Sequence, residues 1–448
     1  MIRRRLPPAA LAFVAWAASA CARAPAPEAV ASSTSPAGSA PAASSAPSES
    51  GADATPSSAA PATSASGRMA AAPEAPLEGL DFIDEARVLF RVAACGPDGE
   101  IPPRFDSAVV ARHCSELEHA YDDYKKAWVD VARPFISALR PKDLPAAVVY
   151  PFGGGDLTTA LATFPDATEF TTISLEPAGD IRPVDKMAPG DLGRELAAHR
   201  AHLERLFEKA HSRTDNLEKE SKTDMPGEIV FDLAALVVYG GEPVSLRYFQ
   251  LRPDGSLAYV TQADIDAAAH HPLALHELFQ NAELRFRQGA DGPNRVLRHI
   301  AFNLDDAHLK ADGPLLAHLS LKGKVAAMTK AASHLLWNEH FATIRGWLIE
   351  HTDWMISDST GIPPRFAEPA GFVQDTYGTF DGPIFGLYDK RDADDLKRLF
   401  KSEPTRELAF RYGYPDQAGH AHLIVTHRGV NLADDNAKTA PAPSASPR

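Results

Sequence analysis

Three glycines and an aspartate, Gly153, Gly154, Gly155 and Asp156, follow the short apolar run "VVYPF". Glycine where a strand turns into a helix permits positive φ and lets backbone approach a ligand closely. A second apolar run stops at Glu176, about the distance at which an acid meets ribose hydroxyls in nucleotide-binding folds. Two features oppose a dinucleotide. Thr158 stands where the fingerprint places its third glycine. Asp156 occupies the helix start, where its carboxylate caps the free N–H groups and repels phosphate. NAD and FAD are therefore disfavoured, and no cofactor is expected. S-adenosylmethionine is the least excluded, because it has no phosphate and brings an amino group that Asp156 can pair with. A plainer reading stands beside these: a tight turn with Asp156 as N-cap and Glu176 at the surface.

The second polar constellation is "SDSTGIPPRFAEPAGFVQDTYGTFDGP", residues 357–383. Asp358, Ser359, Thr360, Arg365, Asp375 and Tyr377 give it dense hydrogen-bonding chemistry on a loop fixed by Gly and Pro, the kind of segment that carries function on a rigid scaffold. The alternative is a long connection stitched by its own polar groups. Ser359 has no readable base partner and is not read as a nucleophile. Lys330, ending a strand, is either a cationic partner for this loop or a surface charge. Asp156, Glu176 and Asp358 are the carboxylates available for acid/base work on an envelope carbohydrate or peptide. His270, His271, His276 and Glu277 lie in "HHPLALHE", which lacks HExxH spacing, and His420 and His422 would share one strand face without a third ligand. No metal site is expected.

These residues need a scaffold. Apolar runs at 148–152, 170–175, 244–251, 296–304, 325–330 and 354–357 read as strands, and 244–251 forms a hairpin with 257–260 across Asp254-Gly255. Helical spacing covers 157–164, 191–212, 227–238 and a segment reaching about Arg287. Near the end "LAFRYGYP" and "AHLIVTHR" read as an antiparallel pair. The alternation predicts an α/β fold with a mainly parallel, doubly wound sheet over 146–435, preceded by a helical region over 77–145. The element order over 146–428 resembles the Rossmann-like fold of class I methyltransferases. One departure is that "YPF" puts no acid at the end of the first strand. In such a sheet the glycine turn and the 358–377 loop leave parallel strands on the same side and line one cleft.

The two ends of the chain are different. Arg3, Arg4 and Arg5 precede a short apolar stretch that ends in Ala18-Ser19-Ala20-Cys21. This reads as a signal peptide over 1–20. Small residues before a cysteine resemble the lipobox of bacterial lipoproteins, which implies cleavage before Cys21 and lipidation there. Ala22, rather than an aspartate, then implies sorting to the outer membrane. An ordinary signal peptide with Cys21 incidental is the alternative. Residues 21–76 are almost wholly Ala, Pro, Ser, Thr and Gly and read as a disordered tether, with a similar tail at 436–448. The net charge of −14 disfavours nucleic acid and anionic bilayer surfaces as partners. The expected partners are the lipid anchor and a small or polymeric envelope ligand. In an exported chain the two remaining cysteines, Cys95 and Cys114, predict one disulfide, with two buried thiols as the alternative.

The phrases "YPFGGGDLTTALATFPDATEFTTISLEP", "KAASHLL", "DSTGIPPRF", "YGTFDGPI" and "FRYGYP" resemble a family of uncharacterised bacterial exported proteins and lipoproteins. The resemblance implies a shared fold and a site built from 153–156 and 358–377. It implies no reaction.

Overall fold

A computed structural model of the chain describes residues 78–97, 100–209, 225–289, 291–383 and 389–429. The expected signal peptide, Cys21, the tether and the tail lie outside the described residues. None of the described helices is long and apolar enough to cross a membrane.

Ten described strands form one sheet. They are β1 (Ala147–Pro151), β2 (Glu169–Ser174), β3 (Gly241–Leu251), β4 (Leu257–Tyr259) and β5 (Asn281–Gln288), then β6 (Arg295–Ala301), β7 (Val325–Thr329), β8 (Thr352–Ser357), β9 (Phe372–Gly378) and β10 (His422–Arg428). Their order across the sheet is β4-β3-β5-β6-β2-β1-β7-β8-β10-β9. The central pairings β6–β2, β2–β1, β1–β7 and β7–β8 are parallel. The pairings β4–β3, β3–β5, β5–β6, β8–β10 and β10–β9 are antiparallel.

The sheet is therefore mixed, with more antiparallel pairings than parallel ones, and the mainly parallel, doubly wound sheet expected from the alternation is wrong. Two strands hidden from that reading explain the difference. "NAELRFRQ" becomes β5 rather than the end of a helix: Ala282, Leu284 and Phe286 are buried and alternate with Glu283, Arg285 and Arg287. It sits between β3 and β6 and pairs antiparallel with both, so the two are not direct parallel neighbours. β9 lies inside the segment read as a polar loop, and it, not "LAFRYGYP", is the antiparallel partner of β10.

In the parallel centre both faces are covered. Val148 and Tyr150 of β1 enter one apolar core, and Val149 between them enters the other. Alternate residues of a strand point to opposite faces, so burial on both sides requires the continuous apolar run seen here. The helices Ile83–Val92, Ser107–Tyr124 and Asp130–Leu139 supply buried residues to the same core as Val148, among them Leu89, Leu117 and Ile136. Cys95 and Cys114 are bonded, with Cα atoms 5.3 Å apart, within the usual disulfide range. The bond ties the end of the first helix to the second.

Because β1, β2, β7 and β8 run parallel, the segments 152–156, 175–176, 330–332 and 358–360 emerge at one edge. β1 is also where the chain changes the side on which it adds strands, with β2 to one side and β7 to the other. Crevices at such points, outside the carboxyl ends of strands, are where open α/β sheets bind ligands.

Candidate functional site

At the end of β1 the chain turns sharply. Phe152 has φ +62° and Gly154 φ +46°. Gly153 N–H donates to the Ile173 carbonyl (3.0 Å), holding the turn against β2. Asp156 then caps the helix Leu157–Thr163, its Oδ1 accepting from Thr159 N–H (3.2 Å) and Thr159 Oγ1 (2.8 Å).

The capping role is as expected, but the carboxylate does not face outward. It is buried, and its Oδ2 accepts from Tyr150 OH (3.0 Å) and pairs with Lys330 Nζ (2.6 Å). Lys330, also buried, donates to Thr159 Oγ1 (2.8 Å). Lys330 is thus neither a surface charge nor a partner for the 358–377 loop. It neutralises Asp156, so the electrostatic case against a phosphate at this turn loses its basis.

Between the turn, β2 and β7 lies a cavity of about 60 Å³, lined by Gly153–Asp156, Ser174, Glu176, Glu228, Lys330 and their neighbours. Glu228 sits in the helix Gly227–Val238 at 5% exposure, and its Oε2 has no hydrogen-bond partner. Ser174 Oγ is likewise buried and unpartnered. A Cβ built on Gly154 would stand 3.4 Å from Glu228 Oε2 and 3.8 Å from Ser174 Oγ. On Gly155 it would stand 2.9 Å from both Glu228 Oε2 and Phe231 Cβ. The glycines leave the space that these two acceptors face.

Burial, reinforced by the nearby Glu176 and Asp232 carboxylates, holds the Glu228 carboxyl well above the usual carboxylate range. Burial does the same to Asp232, one helical turn further on, with Asp156 adding to it. Glu176 is half-buried at the mouth. Its backbone is fixed by His299, whose Nε2–H donates to the Glu176 carbonyl (2.8 Å).

Asp358 reaches the cleft indirectly. It is fully buried, and its Oδ1 accepts from Thr360 N–H (2.8 Å). Its Oδ2 accepts from Ala331 N–H (3.1 Å) and Tyr414 N–H (2.9 Å). Ala331 lines the cleft with φ +54°. Asp358 therefore positions the wall next to Lys330 and ties "FRYGYP" to it. Ser359 and Thr360 are buried beside Asp358, away from the cleft lining.

The other expected site residues are elsewhere. Arg365 pairs with Asp392 and Asp395 of the helix Lys390–Lys401. Asp375 on β9 accepts from His427 Nε2 (3.0 Å) and pairs with Arg406 (3.4 Å). Tyr377 packs edge-on against Phe135. None of these three lines the cavity. No cluster of three or more metal-ligating side chains exists among the described residues.

Glu228, Ser174 and Ala331 were not singled out from the sequence. One signal was available for the first. "GEIVFDLAALVV" holds two acids four residues apart in an otherwise apolar helix, and a carboxylate that must be buried demands a reason. Three non-glycine residues among those described have positive φ, and two of them, Phe152 and Ala331, line this cavity. Such strain concentrates at functional sites.

No protein-family model, no curated protein and no solved structure matches the chain.

Proposed function

We propose that the protein is a lipid-anchored component of the bacterial cell envelope, sorted to the outer membrane, whose cleft at the ends of β1, β2 and β7 binds a small polar ligand. The observation that carries this reading is the pair of unpartnered buried acceptors, Glu228 Oε2 and Ser174 Oγ, facing one cavity. Leaving a buried polar group unsatisfied costs about 1–3 kcal/mol, a cost that a ligand's donors can offset. The strained backbone at Phe152 and Ala331 supports the same place. The anchor rests on the small residues before Cys21 and the long tether after it.

Two measurements test it. Cys21→Ala is expected to move the protein from membranes to the soluble fraction; unchanged membrane association refutes the anchor. A thermal-shift panel of small amines, amino acids, carboxylates and sugars is expected to stabilise the parent through one class. The same class should fail on Gly155→Val, whose side chain runs into Glu228 and Phe231. A parent that no class stabilises is a structural lipoprotein instead.

A second reading is an extracytoplasmic enzyme. Asp156 is paired with Lys330 and Asp358 accepts from backbone N–H groups, which argues against either as the acid/base carboxylate. A carboxyl raised by burial beside a second acid is, however, the arrangement of a general acid, and Glu228 with Glu176 has it. Turnover of envelope glycan or peptide fragments that is lost in Glu228→Gln would favour this reading.

A further inference from the structure

We propose that the cleft takes a primary ammonium group, held by Glu228 Oε2 and Ser174 Oγ with Glu176 at its mouth. This rests on the ligand-binding reading of the same cleft and names the class of ligand. Charge makes the first selection. Lys330 is spent on Asp156 and Thr159, so it offers an incoming anion little. Glu176 remains in the lining and disfavours a carboxylate or phosphate. Hydrogen bonding makes the second. Both unpartnered atoms can accept, and an ammonium group brings N–H donors to each. A quaternary ammonium brings none, and its recognition needs a cage of aromatic faces. Here the aromatic lining is Tyr150 and Phe152, and the Tyr150 hydroxyl is used by Asp156. Size makes the third: about 60 Å³ admits a head group of a few heavy atoms and not a ring.

Binding has a proton balance. Burial and its acidic neighbours raise the Glu228 carboxyl, which favours its protonated form in the free cleft. When R–NH3+ enters, the Glu228 O–H bond breaks, the proton leaves to solvent, and the carboxylate pairs with the ammonium. The step releases up to one proton for each cation bound.

The test is a titration of the lipid-free mature chain, uniformly 15N-labelled, with methylammonium chloride. Tetramethylammonium chloride and sodium acetate at equal ionic strength are the comparison probes. Methylammonium is expected to shift the Gly154 and Gly155 amide resonances saturably, while the other two probes leave them in place. Calorimetry in two buffers of different ionisation enthalpy is expected to show proton release, up to one per cation. Glu228→Gln should weaken binding at least about tenfold, the scale of one hydrogen bond to a charged group, and abolish the proton release. Ser174→Ala gives a second reading if Glu228→Gln fails to fold, and is expected to weaken methylammonium binding as well. Equal binding of tetramethylammonium, or undiminished binding by folded Glu228→Gln or Ser174→Ala, overturns the proposal. Saturable binding of acetate with methylammonium silent leaves a ligand cleft but makes the ligand class wrong. Silence of all three probes overturns the ammonium proposal, and if the thermal panel is also silent the cleft reading falls with it.

Discussion

Lys330 and Asp156 meet at 2.6 Å with both side chains withdrawn from water. A buried pair of this kind adds little net stability, yet breaking it strands a charge. Lys330→Met leaves Asp156 with Tyr150 and Thr159 as donors and no counter-charge. The expected loss is about 3–5 kcal/mol, read from denaturant unfolding. Asp156→Asn with Lys330→Met should lose less than the two single changes added together. Glu228 and Asp232 behave in the opposite sense. Each is raised by burial, so between its ordinary value near pH 4 and its folded value the folded chain holds a proton that the unfolded chain has lost. Their stabilising contribution is full below pH 4 and is lost as pH rises through the folded value. Calorimetric melting from pH 5 to 8 should therefore show the parent losing ground to the Glu228→Gln/Asp232→Asn double variant. A constant gap between them would refute this.

Among the elements, the parallel centre was legible because each strand there is a short apolar run ended by glycine, proline or a polar turn. The helix Gly227–Val238 was legible to its last residue. β5 was not, because "LHELFQNAELRFRQ" carries helix formers throughout and only the period-two alternation after Asn281 marks the strand. Glu283 gives a tertiary reason for that strand, pairing with Arg298 of β6 (2.8 Å) and Arg285 (3.0 Å), contacts that no local spacing foretells. The same limit hid the site. The turn at 153–156 could be seen in the sequence, whereas the acceptors that face it come from β2 and from a helix more than seventy positions away. The disulfide was legible by arithmetic, and it belongs to this scale because it ties two helices together. Replacing both Cys95 and Cys114 with Ser should cost about 3 kcal/mol, the scale for a loop of its 19-residue separation. Thiol titration of the unreduced, denatured parent should find neither sulfur free.

At the scale of the molecule, the mixed sheet decides what the chain can present. Its parallel centre collects the carboxyl ends of five strands, β6, β2, β1, β7 and β8, at one edge, and its antiparallel flanks extend the sheet to either side. Residues chosen for polar density alone, Arg365, Asp375 and Tyr377, went to the flank, where they hold β9, β10 and the helix Lys390–Lys401 together. The position of β10 has a consequence for synthesis. This strand comes last among those described, yet it lies between β8 and β9, which precede it in the chain. Until residues 422–428 have been delivered, β8 and β9 each keep an open edge of unpaired backbone, the template on which chains aggregate. A growing polypeptide therefore has to be shielded until its last described strand is made, and a message truncated before that strand yields an open sheet rather than a slightly shorter protein.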